Sequence, residues 1–300
     1  MKGIESAVDS SMIKGVGSKS NIMKRRMQSK LFEMFFFGAI MFGIMMLMVL
    51  MANIIKEGIG WLDIDFITSF PSRFAKKAGI KSALVGSIWV MSLTFLFSFP
   101  LGVGTAIYLE EYSDKKKRFN KILQVNIANL AGVPSIVYGI LGLAVFVRFM
   151  GFERSIISGA LTLGLLILPV IIVSSQEALK SVPNELRHGA YAIGVSKWQT
   201  ITGVVLPYAL PGILTGTILA MSRAMGEAAP LIIIGAAGYI SFLPESITDS
   251  FTVLPIQIFN WTSRPQAEFQ NIAAAGILVL MILLLSANAV AVIIRNKYEK

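Results

Sequence analysis

The sequence contains no cysteine, which excludes disulfides, thiol nucleophiles and cysteine-ligated metals. It contains one histidine, His188. Zinc-type sites gather several histidine, cysteine or carboxylate ligands, so no metal centre is expected. Charge is scarce as well. Asp, Glu, Lys and Arg make up 15% of the 300 residues, against roughly 25% in soluble domains.

What is there instead is apolar. Hydrophobic residues are 55% of the chain, and the mean hydropathy is +0.70. A membrane-spanning helix needs about 20 apolar residues to cross a hydrocarbon core of about 30 Å. The apolar runs are that long, so the expected fold class is all-α integral membrane. The net charge is +10, a balance that in a soluble domain points to nucleic acid. Here the basic residues sit at the ends of the apolar runs and form no single patch. Membrane lipid is therefore the expected partner, and no nucleic acid.

Six runs read as transmembrane helices: 32–55, 82–109, 122–149, 156–174, 201–224 and 272–294. The first is too long, and ends too polar at Asn53, Lys56 and Glu57, for a cleaved signal, so it reads as a retained span. The chain divides accordingly. Residues 1–30 form a polar N-terminal segment, 31–81 the first span and an external loop, 82–294 a core domain, and 295–300 a tail. Lysine and arginine concentrate on the side holding both termini. This places N- and C-termini inside the cytoplasmic membrane, with Lys115 to Arg118 as an anchor near anionic headgroups.

Three interruptions carry information. Gly132-Val133-Pro134-Ser135 breaks the third run near its middle. Backbone groups freed by such a break need protein or water as partners, and Ser135, Asn126 and Asn129 are the polar side chains near it. Pro100, with Gly102 and Gly104, predicts a kink in the second run. A third interruption is the loop 238–270, with Pro244, Pro255 and Pro265. The Gly15–Ser20 run is no phosphate-binding loop, because Ser18 separates Gly17 from Lys19 and no strand precedes it. Any ATP-driven step then needs another subunit.

The polar segment 177–200 leads into the fifth run. Gly194 lets a helix stop and the chain reverse, Ser196 caps the next helix, and Pro207 bends its entry. This predicts two short helices across a turn. Deeper in, Gly212, Gly216, Ala220, Arg223 and Glu227 stand four, four, three and four residues apart, on one helical face. Small residues permit close helix approach. A charge in a span costs at least about 2.5–3.5 kcal/mol, so this face points into protein or a polar path. Two readings of Arg223 and Glu227 are open: handling of an oxyanion by the arginine fork, or a buried pair that locks the helix. A proton-coupled secondary transporter using Glu227 is the reading from another class, and it predicts internal repeats that the sequence does not show convincingly.

The spacing Ala190, Gly194, Val204, Leu206 and Pro207 resembles the EAA loop of bacterial ABC importer permeases, with His188-Gly189 in place of its Glu-Ala. The strings GVGTAIYLEE (102–111), NLAGVPSIVYG (129–139) and RAMGEAAPL (223–231) resemble the phosphate-importer permeases of the PstA type. The resemblance covers residues 80–294. It implies an ABC importer permease (MetI-like) fold with six transmembrane helices and cytoplasmic coupling helices. It implies a permease that moves inorganic phosphate, or another oxyanion such as sulfate, molybdate or phosphonate, by alternating access. The implied partners are a PstC-like second permease subunit, a dimer of PstB-like ATPase subunits and an external PstS-like phosphate-binding protein. The chain itself then carries no catalytic residue and no cofactor, ATP and Mg being held by the ATPase. With the resemblance, Arg223 and Glu227 are expected on the substrate path; the residues themselves add Ser135 and Asn129 to it, the other reading of the 132–135 break being a packing kink. The resemblance places Glu185, His188, Ala190, Gly194, Leu206 and Pro207 in the coupling to the ATPase.

Overall fold

A computed structural model describes residues 19–114, 117–236 and 238–298, with side chains from residue 25 onward. The Gly15–Ser20 run, Lys115 and Lys116 in the basic anchor, and the last two residues of the tail lie wholly or partly outside it.

The chain forms two units, residues 1–54 and 55–300. In the first, helix α1 (Lys19–Gly58) runs to the boundary and a few residues past it. Leu, Met and Phe surround its middle on every side, the pattern of a helix immersed in hydrocarbon.

The second unit opens with a short helix α2 (Ile64–Thr68). Asp63 caps it, its Oδ1 accepting from the Phe66 amide at 2.6 Å. Phe66 is buried, while Ile64 and Ile67 are exposed. Helix α3 (Lys81–Ile107) contains Pro100 and ends in a π-helical turn, Tyr108–Tyr112. Helices α4 (Arg118–Leu130) and α5 (Ser135–Gly142) follow, the latter extended by a π-helical stretch to Phe149. Next come α6 (Ile156–Lys180), α7 (Asn184–Ala192) and α8 (Lys197–Thr200). A π-helical segment, Ile201–Val205, joins α8 to α9 (Leu206–Met225). The unit closes with α10 (Ala229–Ile234), α11 (Leu254–Thr262) and α12 (Ala267–Tyr298).

Among the described residues, five helices are long and apolar enough to cross a membrane, or six if the α4–α5 pair counts as one span. The break expected from sequence at Gly132–Ser135 is there, and the two arms of the pair are bent by 106°. The break itself, though not its size, has a local cause. Pro134 has no N–H to continue the helix and drives Val133 out of helical conformation. The amides of Gly132 and Val133 turn back to the carbonyls of Asn129 and Leu130 at 3.0 Å each. Two expectations are adjusted. Helix α6 runs on to Lys180, so the polar loop starts at Ser181. The 238–270 segment contains the buried helix α11, with Pro255 in its first turn, where proline is favoured.

Helix α6 is the centre of the unit, with α3 and α9 packed along it. The main core joins Val90, Leu163, Ile167, Ala220, Leu231 and Phe251. A second core beneath the polar loop joins Ala106, Leu179, Val182, Val205 and Ile213. Several threonines inside the spans return their hydroxyls to the chain. Thr217 donates to Ile213 O at 2.8 Å and Thr94 to Ala160 O at 3.2 Å.

Candidate functional site

Helix α9 carries the small-residue face expected from its sequence. A Cβ on Gly212 would lie 2.9 Å from the Cβ of Ala178, and one on Gly216 would collide with Ser174. Ala220 and Ala224 complete the stripe and are buried. The face therefore lies on α6. Arg223 does not share it fully. The three-residue step from Ala220 swings it to the rim, where its side chain is 50% exposed. Helix α9 ends at Met225, and Glu227 sits just beyond it, its amide bonded to Ala224 O at 3.1 Å.

Arg223 Nε lies 3.5 Å from Glu227 Oε1, and the carboxylate side chain is 19% exposed. This is an ion contact rather than a well-formed hydrogen bond. Among the described residues, the two terminal Nη groups of Arg223 donate no hydrogen bond. Glu227 also lines a small cavity of about 10 Å³ with Ser87, Met91, Leu163 and Val253. A larger cavity of about 700 Å³ lies between α3, α9 and α12. Its walls are apolar apart from Ser92, Thr217, Ser286, Asn288 and Ser222, which donates to Asn288 Oδ1 at 2.7 Å. An anion there would lose its hydration with no cation to replace it.

The broken helix adjoins the pair. Arg223 is near enough for its charge to act on the Tyr138 hydroxyl. That hydroxyl donates to the Leu130 carbonyl at 2.8 Å, tying the start of α5 to the end of α4. Helix α5 packs on α10, directly after Glu227. The structure thus brings the 129–139 and 223–231 strings into one region. Ser135 is half-buried at the start of α5 and Asn129 is exposed near the end of α4. Among the described residues, no hydrogen bond links either of them to Arg223 or Glu227.

The loop has the two helices and the turn expected of it. Gly194 stands at φ +81°, the left-handed conformation that glycine adopts without strain. Ser196 and Gln199 form a reciprocal capping box on α8. Ala190 is buried, while Glu185 and His188 are exposed. Leu206 and Pro207 open α9 behind the π-helical segment. Sequence reasoning missed the residues that stand out most here. Ile193 is 81% exposed and Trp198 62%, an apolar tip on a polar loop. Arg187 pairs with Glu111 at 2.8 Å. The available signal was an isoleucine and a tryptophan in a run otherwise fit for solvent.

Known proteins share this sequence and fold. Residues 98–300 match the family described as binding-protein-dependent transport system inner membrane component. YqgI of Bacillus subtilis, a probable ABC transporter permease protein, is 35% identical over 256 residues, 81% of this chain and 86% of that protein. The phosphate transport system permease protein PstA 1 of Mycobacterium tuberculosis is 32% identical over 291 residues, 94% of this chain and 93% of that protein. Among solved structures, a bacterial ABC transporter involved in the import of the acidic polysaccharide alginate has a chain of like fold. Its TM-score is 0.66 at 16% identity, covering 93% of this chain and 100% of that one. The MetNI methionine ABC transporter gives a TM-score of 0.57 at 17% identity, covering 73% and 94%.

Proposed function

The chain belongs to the family of binding-protein-dependent transport system inner membrane components, and we propose that within it this chain is the permease subunit of an ABC importer for inorganic phosphate. The relatives named as phosphate transport permeases, at about one-third identity over most of the chain, support the substrate. The observation that carries the reading is the state of Arg223. A guanidinium half exposed on a membrane span is too costly to face lipid. A water-filled path or a second subunit covers it.

Its chemistry suits phosphate. Glu227 engages Nε, so the Nη pair of the fork is left to meet two phosphate oxygens together. Glu227 accepts from the P–OH of a protonated phosphate and, as counter-charge, keeps the anion from being held too firmly to leave. Ser135 and Asn129 line the same path beside the α4–α5 bend. The pathway forms between this chain and a PstC-like partner, and an external PstS-like protein delivers the phosphate. A pair of PstB-like ATPase subunits, holding ATP and Mg, grips the 181–200 loop through Ile193 and Trp198, with Glu185 and His188 exposed beside them. ATP binding closes that pair and opens the cavity outward. Both termini lie in the cytoplasm.

The test is ATP-driven uptake of labelled phosphate by proteoliposomes holding the full complex. Arg223→Gln is expected to lower uptake at least tenfold with assembly and ATP hydrolysis retained. Uptake at the wild-type rate in that variant would assign the pair to helix locking. Uptake of sulfate or molybdate in place of phosphate by the wild type would reassign the substrate.

A further inference from the structure

The GVGTAIYLEE string ends at the loop end of α3, in residues that neither the path nor the docking tip uses. There the helix widens into the Tyr108–Tyr112 π-helical turn, closed by the Ser113 amide on Tyr108 O at 2.9 Å. Two consecutive residues of this turn meet cations from both helices of the loop. Glu111 Oε1 takes Arg187 of α7 in a fork, Nη2 at 2.8 Å and Nε at 3.3 Å. Lys197 of α8 sits 4.7 Å from the centre of the Tyr112 ring.

Arg187 is the best-held side chain of the group. Besides Glu111 it donates to the carbonyls of Val182 at 2.7 Å and Leu179 at 2.9 Å. It therefore closes the end of α6, joins α7 to it and reaches α3. The pair is shielded, the two side chains being 14% and 8% exposed. A shielded pair with further hydrogen bonds is held far more firmly than a surface ion pair. The second arm of the loop is fixed differently, since α8 runs through Ile201–Val205 into α9 without a break. The loop is thus fastened to α9 by continuous helix and to α3 by side chains on both of its own helices.

We infer that the Tyr108–Tyr112 turn of α3 is the receiver of the loop's motion, with Glu111–Arg187 as the link that makes α3 follow the loop as α9 must. This rests on the reading of 181–200 as the ATPase-docking loop. Glu111 and Arg187 are positioning residues, touching neither phosphate nor ATP. Without the link the loop still docks and the ATPase still turns over, but only α9 is driven.

The chain's lack of cysteine permits a direct test. Gly104 on α3 and Gly189 on α7 each have open space within this chain where a side chain would stand, so Gly104→Cys and Gly189→Cys can carry spin labels, with co-purification of the ATPase as the check that the label on α7 spares docking. In the assembled complex their separation is expected to be the same with and without trapped ATP. Adding Glu111→Ala is expected to make the separation shift or broaden on ATP trapping. Glu111→Gln is expected to cut phosphate uptake per ATP hydrolysed at least tenfold, with the ATPase still co-purifying. A separation that changes with nucleotide in the Glu111 chain, or one that stays fixed in Glu111→Ala, overturns the link. A complex that hydrolyses ATP without phosphate uptake overturns the substrate reading alone, and the label separation still decides the link. Failure of the ATPase to bind the wild-type chain overturns both.

Discussion

Gly139 and Pro230 touch backbone to backbone: a methyl group on Gly139 would stand 2.8 Å from the Cα of Pro230 and 2.9 Å from its carbonyl oxygen. Ile233 closes the same space, its Cβ 3.0 Å away. This contact is what holds α5, beyond the sharp bend, onto α10, just beyond Glu227.

Gly139→Ala is accordingly expected to force the two helices apart. Overpacking of this kind costs about 1–3 kcal/mol, and the contact is backbone, which has no rotamer to yield. The melting temperature of the purified complex should fall, and phosphate uptake with it. Gly60→Ala is the control, because nothing lies within 4 Å of its added methyl and its melting temperature should not fall. Equal melting temperatures for the two variants would show that α10 moves aside at no cost.

Ile193→Asp tests the docking tip. Ile193 is 81% exposed and holds nothing of this chain in place, so the fold should melt as before, within about 0.5 kcal/mol. A charge at this apolar tip is expected to abolish co-purification of the ATPase. Co-purification at the wild-type level would move the docking surface elsewhere on the loop.

Tyr138→Phe removes one hydrogen bond and keeps the shape. Tyr138 is buried and its hydroxyl serves the Leu130 carbonyl, which also accepts from Val133. The expected loss is about 0.5–1.5 kcal/mol. It should appear locally, as faster amide exchange at Gly132 and Val133. Unchanged exchange there would show that the proline and glycine alone hold the bend.

Much of this was legible in the sequence for reasons that are local. Run length and apolarity mark the spans, Gly194 marks the turn, and Ser196 marks the start of α8. The rest depends on partners distant along the chain. Glu111 and Arg187 are 76 residues apart, and nothing in a charged loop singles out the charge that is shielded. The angle at Gly132–Pro134 is set by Tyr138 and by the packing of α5 on α10, so a proline predicts a break without its size. The helical face of α9 was readable, but the exposure of Arg223 was not. Whether a residue beside a stripe is covered depends on how wide α6 is there.

The half-exposed Arg223 has a consequence for the life of the protein before it works. A copy inserted alone holds a guanidinium toward hydrocarbon, a penalty of at least about 2.5–3.5 kcal/mol, or roughly a hundredfold or more in population. That penalty is relieved only when the charge is covered. The residue suited to phosphate is then also a marker of orphan subunits: it biases each new copy toward assembly and leaves surplus copies poorly seated in the bilayer, open to membrane proteolysis.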